Sequence, residues 1–174
     1  MPKEKIQAHL IGEIVSSNDS EAFNLFDKSC FGERVREKIQ YSYSEALFLL
    51  ENKKIQVFFG KKELGFDELF KKIKRFDNKI QTKYPVFKDL REKGYVVKTA
   101  LKFGAEFRVY DKGSKPGQKH AKWIVFTDFE TKKFSWHEFS SKNRIANSTK
   151  KKLLLAIVDD ESDVSYYEVG WVKP

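Results

Sequence analysis

Glu106-Phe107-Arg108-Val109-Tyr110 is followed by Asp111-Lys112-Gly113-Ser114-Lys115-Pro116-Gly117-Gln118-Lys119, then by His120 and the largely apolar run Ala121–Thr127. Strand-forming residues flank a segment rich in Gly, Pro, Ser and Lys, so the passage reads as strand, basic mobile loop, strand. Further on, Ser135-Trp136-His137-Glu138 has the spacing of a capping box and predicts a helix reaching about Ile145. After Lys150-Lys151-Lys152, the run Leu153–Val158 is wholly apolar, as a strand buried on both faces would be. Asp159-Asp160-Glu161-Ser162-Asp163 then reads as an acidic turn before the alternating stretch Val164–Trp171. This half of the chain is expected to form one mixed sheet with two helices.

Working backwards, Tyr95–Lys98 reads as a strand, preceded by a helix over Val86–Lys93 that Gly94 stops. Pro85 suits the first turn of that helix. The pattern changes around Thr82–Pro85, which divides the chain into domains at 1–82 and 83–174. In the first, His9–Val15 carries strand signals, and Ser16–Asp19 and Phe31–Glu33 read as turns. Ser42 or Ser44 caps a helix with Ala46, Leu47, Leu49 and Leu50 on its apolar stripe. Ile55–Phe59 alternates as a strand. A helix follows from about Phe66 to Lys79, with Phe66, Leu69, Phe70, Ile73 and Phe76 on one side and Lys71, Lys72, Lys74 and Arg75 on the other. The fold class is α/β in the α+β sense: a small N-terminal α/β scaffold, then a mixed-sheet domain.

Composition narrows the chemistry. The chain has 174 residues, is 40% hydrophobic with 16 Phe and 7 Tyr, and carries a net charge of +9. An excess of basic charge favours a polyanionic partner such as nucleic acid through counterion release. Cys30 is the single cysteine and His9, His120 and His137 the only histidines, so a zinc site of cysteine or histidine type is not expected. No apolar run is long enough for a membrane span, and Met-Pro-Lys-Glu-Lys has no apolar leader. The expected location is cytoplasmic. Asp159, Glu161 and Asp163 share the spacing of a calcium loop, but Val164 stands where that loop requires Gly.

Tyr110, His120 and Lys151 put a phenol, an imidazole and an ammonium on separate elements of one unit. RNA is cut by its own 2′-hydroxyl when a base takes the hydroxyl proton, an acid protonates the leaving 5′-oxygen and a cation meets the charge on phosphate. Histidine is a natural acid near neutral pH, and neighbouring lysines favour a phenolate. The set predicts a ribonuclease that needs no metal and no cofactor. A metal-dependent nuclease would need paired carboxylates beside a lysine, and Asp111 and Asp128 have no evident carboxylate companion. Trp123, Trp136 and Trp171 read as core or interface residues rather than base-stacking platforms.

Three ordered blocks resemble the archaeal tRNA-splicing endonucleases: Lys83–Lys98, Lys102–Tyr110 with the loop to His120, and Arg144–Leu155. The resemblance is strong over 83–174 and weaker before it. It implies a tRNA-intron endonuclease fold for the second domain, with Tyr110 as general base, His120 as general acid and Lys151 as transition-state stabiliser. It implies that Arg144 clamps a bulged base by cation–π contact. Lys115 and Lys119 in the basic loop are expected RNA contacts. Lys150 stands where the family often has Arg, and Asn147 where it usually has His. The implied substrate is precursor tRNA with a bulge–helix–bulge motif, cut to 2′,3′-cyclic phosphate and 5′-hydroxyl ends. The implied assembly is a homotetramer, or a heterotetramer with a second subunit, paired through Tyr166–Trp171 and through the acidic turn docking into a neighbour. The alternative is a noncatalytic structural or RNA-binding subunit of such an assembly.

Overall fold

The structure, a computed structural model, describes residues 5–174. Residues 1–4, which carry most of the leader-free N-terminal reading, lie outside the described residues. The chain divides into two compact units, Met1–Tyr84 and Pro85–Pro174. The fold is mixed α+β, with one mixed sheet in each unit. Among the described residues no helix is long and apolar enough to cross a membrane.

The first unit holds strands β1 (Ile6–Ile11), β2 (Ile14–Ser17), β3 (Glu33–Val35), β4 (Lys38–Tyr41), β5 (Ile55–Phe59) and β6 (Lys62–Leu64), in the order β3-β4-β2-β1-β5-β6. Only β1 and β5 run parallel. Its helices are α1 (Ser20–Ser29), α2 (Tyr43–Glu51) and α3 (Phe66–Phe76). The expectation from sequence differs here at several points: β3, β4 and β6 are strands it does not contain, Glu33 lies in β3 rather than in a turn, and the helix expected to reach Lys79 ends at Phe76. The stretch 9–15 is not one strand but a hairpin turning at Gly12-Glu13, with Gly12 at φ +61°. Ser16 and Ser17 lie in β2 rather than in a turn, and α1 was not anticipated. Of the two serines expected as caps, Ser42 is the one that caps α2 and Ser44 lies within it: the Ser42 hydroxyl accepts from Glu45 N while the Glu45 carboxylate accepts from Ser42 N.

A fourth helix, α4, spans Ile80–Glu92 with Pro85 inside it. The expected start at Pro85 is therefore one and a half turns late. Ile80, Thr82 and Tyr84 are buried, Asp77 Oδ1 accepts from Lys79 N at 3.0 Å and Asp77 Oδ2 pairs with Lys83 at 2.7 Å. Burial and capping of that first turn outweigh the backbone bond that proline removes.

The second unit is a five-stranded sheet in the order β11-β10-β9-β8-β7. Its strands are β7 (Val96–Ala100), β8 (Ala105–Tyr110), β9 (Trp123–Phe129), β10 (Lys152–Val158) and β11 (Val164–Val169). All neighbours are antiparallel except β9 and β10. A parallel pair needs a crossover, and α5 (Trp136–Ser148) supplies it, capped by the predicted Ser135/Glu138 box. The helix packs through Ala146, Ile145 and Phe139 over the sheet face made by Ile124, Phe126, Leu153 and Leu155. The opposite face meets α4, where Phe87 lies 5.9 Å from Phe107, ring to ring, both fully buried. Losing either ring to Ala would cost about 3–5 kcal/mol. The central position falls to β9, and β10 lies beside it with a partner on each side. Trp136 and Trp171 are 81% and 65% exposed, so the core reading holds for neither.

Candidate active site

Strand polarity brings the three predicted chemical groups to one end of the second sheet. Tyr110 is the last residue of β8. His120 stands just before β9, and Lys151 just before β10. Val109 pairs with Trp123 and Trp123 with Lys152, so the three strand ends lie side by side. Tyr110, His120 and Lys151 line a single cavity of about 210 Å³, together with Phe103, Arg108, Gly117, Gln118, Lys119 and Ala121.

Each group is held differently. Tyr110 is 5% exposed. It shares a sheet face with Arg108, two residues earlier on the strand, and the guanidinium carbon lies 6.0 Å from the phenol ring centroid. His120 is exposed at the end of the loop. That loop is built from two hydrogen-bonded turns: Ser114 N donates to Asp111 O at 3.0 Å, and Gln118 N and Lys119 N both donate to Lys115 O. Ser114 is buried between them. The loop's exit is fixed by Lys122, whose N–H donates to Val109 O at 2.8 Å and whose ammonium lies 3.6 Å from Asp111.

Lys151 owes its position to the end of α5. Lys150 N donates to Asn147 O at 3.0 Å and Lys151 N to Ala146 O at 2.9 Å. This pair of bonds is a Schellman motif, with Lys150 in the left-handed position at φ +55° where Gly is usual. At the end of α4 Gly94 occupies the same place, with Gly94 N bonded to Arg91 O and Tyr95 N to Leu90 O. The next residue, Lys152, is tied across the sheet. Glu168 on β11 accepts from Trp123 Nε1 at 2.7 Å and from Lys152 Nζ at 3.0 Å. The indole N–H and then the ammonium hold the Glu168 carboxyl below the usual carboxylate range.

The other predicted contacts separate. Lys119 lines the cavity. Lys115 is exposed and does not. Arg144 is exposed on α5, its guanidinium donating to Ser141 Oγ at 3.2 Å, and also lies outside the lining. Asn147 is exposed on the same helix. Asp111 and Asp128 each pair with a lysine, Asp111 with Lys122 and Asp128 with Lys132 at 2.9 Å. Arg108 is the charged lining residue to which the sequence pattern assigns no role. Its two-residue spacing from Tyr110 was the available signal.

Residues 80–166 match the family tRNA intron endonuclease, catalytic C-terminal domain, and residues 6–70 match tRNA intron endonuclease, N-terminal domain. The chain is 41% identical over 172 residues to a tRNA-splicing endonuclease of Thermococcus onnurineus, covering 98% of this chain and 99% of that one. It is 39% identical over 172 residues to a tRNA-splicing endonuclease of Pyrococcus abyssi, with the same coverage. A tRNA-splicing endonuclease of Nanoarchaeum equitans is 41% identical over 151 residues, or 83% of this chain and 97% of that one. Two successive domain matches and full-length similarity lead to one conclusion: the chain belongs to the tRNA intron endonuclease family.

Proposed function

We propose that this chain is a cytoplasmic endoribonuclease that excises introns from precursor tRNA at bulge–helix–bulge splice sites, with residues 83–174 as its catalytic domain and 1–82 as a scaffold. The observation that carries the reading is the convergence of Tyr110, His120 and Lys151, from three separate elements, on one cavity. The family membership and the relatives named tRNA-splicing endonuclease support the substrate.

In this reading Tyr110, as phenolate, takes the proton of the 2′-hydroxyl. The 2′-oxygen forms its bond to phosphorus as the bond from phosphorus to the 5′-oxygen breaks. His120, as imidazolium, gives that oxygen its proton. The products are a 2′,3′-cyclic phosphate and a 5′-hydroxyl. Lys151 stabilises the charge that builds on the phosphate oxygens. No step calls for a metal ion or a cofactor. Lys119 and Lys115 contact the RNA backbone, and Arg144 stacks on a bulged base from outside the cavity.

Two cuts per intron call for two sites at a fixed separation, hence a homotetramer or a heterotetramer with a second subunit. Supporting this, β11 pairs on one side only, and Tyr167, Trp171 and Val172 are exposed on and beyond it.

The test is incubation of the purified chain with a bulge–helix–bulge RNA in EDTA, followed by end-group analysis and a measurement of assembly mass. Cutting to cyclic phosphate ends is the expected result. Ends bearing a 3′-hydroxyl, or cutting that depends on an added divalent cation with the RNA already folded, would refute the mechanism.

A further inference from the structure

We propose that Arg108 is a further phosphate-binding group of this site, its guanidinium holding the phosphodiester that is cut. The inference rests on the RNA-cleaving reading above and adds to it a residue outside the acid, the base and Lys151.

Arg108 lines the cavity beside Tyr110 and Lys151. Its Nε is fully buried and has no hydrogen-bond partner. Among the described residues no carboxylate forms an ion pair with it. Buried donors are nearly always satisfied by a hydrogen bond, so the Nε stands out on a side chain that is otherwise half-buried. The surroundings heighten the anomaly. In the β7–β8 register Arg108 sits directly opposite Lys98, and on the β9 side opposite Ile124. Neither of these register neighbours offers Arg108 a carboxylate. The guanidinium carbon lies 6.0 Å from the ring centroid of Tyr110.

Such a charge is ill suited to stabilising the sheet and well suited to an anion. The charged cavity lining is cationic throughout: Arg108, Lys119 and Lys151, with His120 able to join them when protonated, and no Asp or Glu. A planar guanidinium offers a fork of N–H donors that matches two phosphate oxygens, which the single ammonium of Lys151 does not. A phosphodiester entering the cavity would meet the ammonium from the end of α5 and the guanidinium from β8. The chemical class of ligand is a phosphodiester or its pentavalent transition state.

The experiment compares wild type, Arg108→Ala and Arg108→Lys in single-turnover cleavage, alongside binding of an uncleavable RNA with 2′-deoxy residues at both cut sites. The expected result is a slowing of about 100-fold or more in Arg108→Ala, with affinity for the uncleavable RNA within about threefold of wild type. Guanidinium ion in the buffer should restore about tenfold or more of the lost rate in Arg108→Ala and leave Arg108→Lys unchanged. A folded Arg108→Ala that cleaves within about threefold of wild type overturns the proposal. A folded Arg108→Ala that guanidinium fails to rescue overturns it as well. Where the wild-type chain cuts nothing, the cleavage reading fails by itself and Arg108 is judged by NMR. The Arg108 Nε–H signal, assigned by its loss in Arg108→Lys, is followed as inorganic phosphate is added. A saturable shift supports phosphate binding, and an unmoved signal overturns it.

Discussion

The ammonium of Lys151 donates a hydrogen bond to the carbonyl oxygen of Thr149, two residues earlier, at 2.9 Å. The bond folds the side chain back over the last turn of α5, beside the Phe103 ring at 5.6 Å. An ammonium has three donors, so others stay available to a phosphate. Lys151→Ala should lower the single-turnover cleavage rate by about 100- to 1,000-fold. RNA affinity, measured by fluorescence anisotropy, should change little. A loss of affinity that accounts for the whole rate effect would instead assign Lys151 to binding alone.

His120 is exposed and, among the described residues, belongs to no strand of the sheet, so its removal separates chemistry from folding. His120→Ala should slow cleavage by about 100-fold or more while its melting temperature stays that of wild type. RNA binding should persist. An RNA whose leaving 5′-oxygen is replaced by sulfur needs no proton on departure, and should restore most of the lost rate. Failure of that substrate to help would remove His120 from the role of acid.

Lys150 carries a Cβ in the left-handed region, where L-residues are strained by about 1–2 kcal/mol. Lys150→Gly relieves the strain and returns part of the gain as unfolded-state entropy. The expected net effect is a stabilisation of about 0.5–1 kcal/mol, read from the urea midpoint. Lys150→Ala keeps the Cβ and should show no such gain. Equal midpoints for Gly and Ala would contradict the strain argument.

Tyr166 on β11 donates to Asp89 Oδ2 on α4 at 2.6 Å, joining the edge strand to the helix behind it. Burial, then the bond to Asp89, pushes the phenol far above its ordinary value, so it stays protonated and a donor at any working pH. Asp89 also pairs with Lys93 at 2.6 Å. Tyr166→Phe should cost about 1.5–3 kcal/mol, the usual worth of a bond to a charged acceptor. Chemical denaturation would measure it. A cost below about 0.5 kcal/mol would mean that water replaces the phenol without penalty.

The Glu168 network gives stability an acid limb. Its folded-state value lies below the ordinary 4.5, so its contribution is present above that pH and is lost as pH falls through the depressed value. The group is exposed, and solvent screening keeps the effect small. Denaturation midpoints taken between neutral pH and pH values below about 4.5 should fall less steeply in Glu168→Gln than in wild type. Trp123→Phe removes the largest cause of the shift and should flatten the limb in the same direction. Identical acid limbs in all three proteins would show that the network has no energetic weight.

Capping chemistry was the most legible part of the chain. Ser42, Ser135 and Gly94 each announced a helix boundary because the residue needed there is set by local backbone geometry. Pro85 misled for the same reason turned round: its local preference for a helix start yielded to the burial of Ile80, Thr82 and Tyr84, which no local pattern shows. Helix α1 stayed hidden because Asp19, the residue at its N-cap, makes no capping bond and gives its carboxylate to Gln7 N at 2.7 Å instead. It also buries little beyond Ala22. In the site, Tyr110, His120 and Lys151 were visible as reactive residues at strand ends beside polar segments. Arg108 was not, since inside a strand a cation reads as a solvent-facing residue until the cavity beside it is known. Lys115 and Arg144 came from loop composition and family likeness, and neither of these specifies a distance to the cavity.

The side-by-side strand ends of the second sheet also leave an opposite edge. There Val158 pairs with Phe129 and with Val164, and the acidic hairpin Asp159–Asp163 closes on itself through Asp159 Oδ1, which accepts from Glu161 N and Asp163 N at 2.9 Å each. The cavity lining includes no residue of this hairpin, so in the proposed assembly its acidic side chains are left to a neighbouring subunit and not to the reaction. In the proposed tetramer the same separation predicts that lesions at Tyr110, His120 or Lys151 silence the reaction without altering assembly mass, and that lesions in the hairpin alter assembly mass without touching the cavity lining.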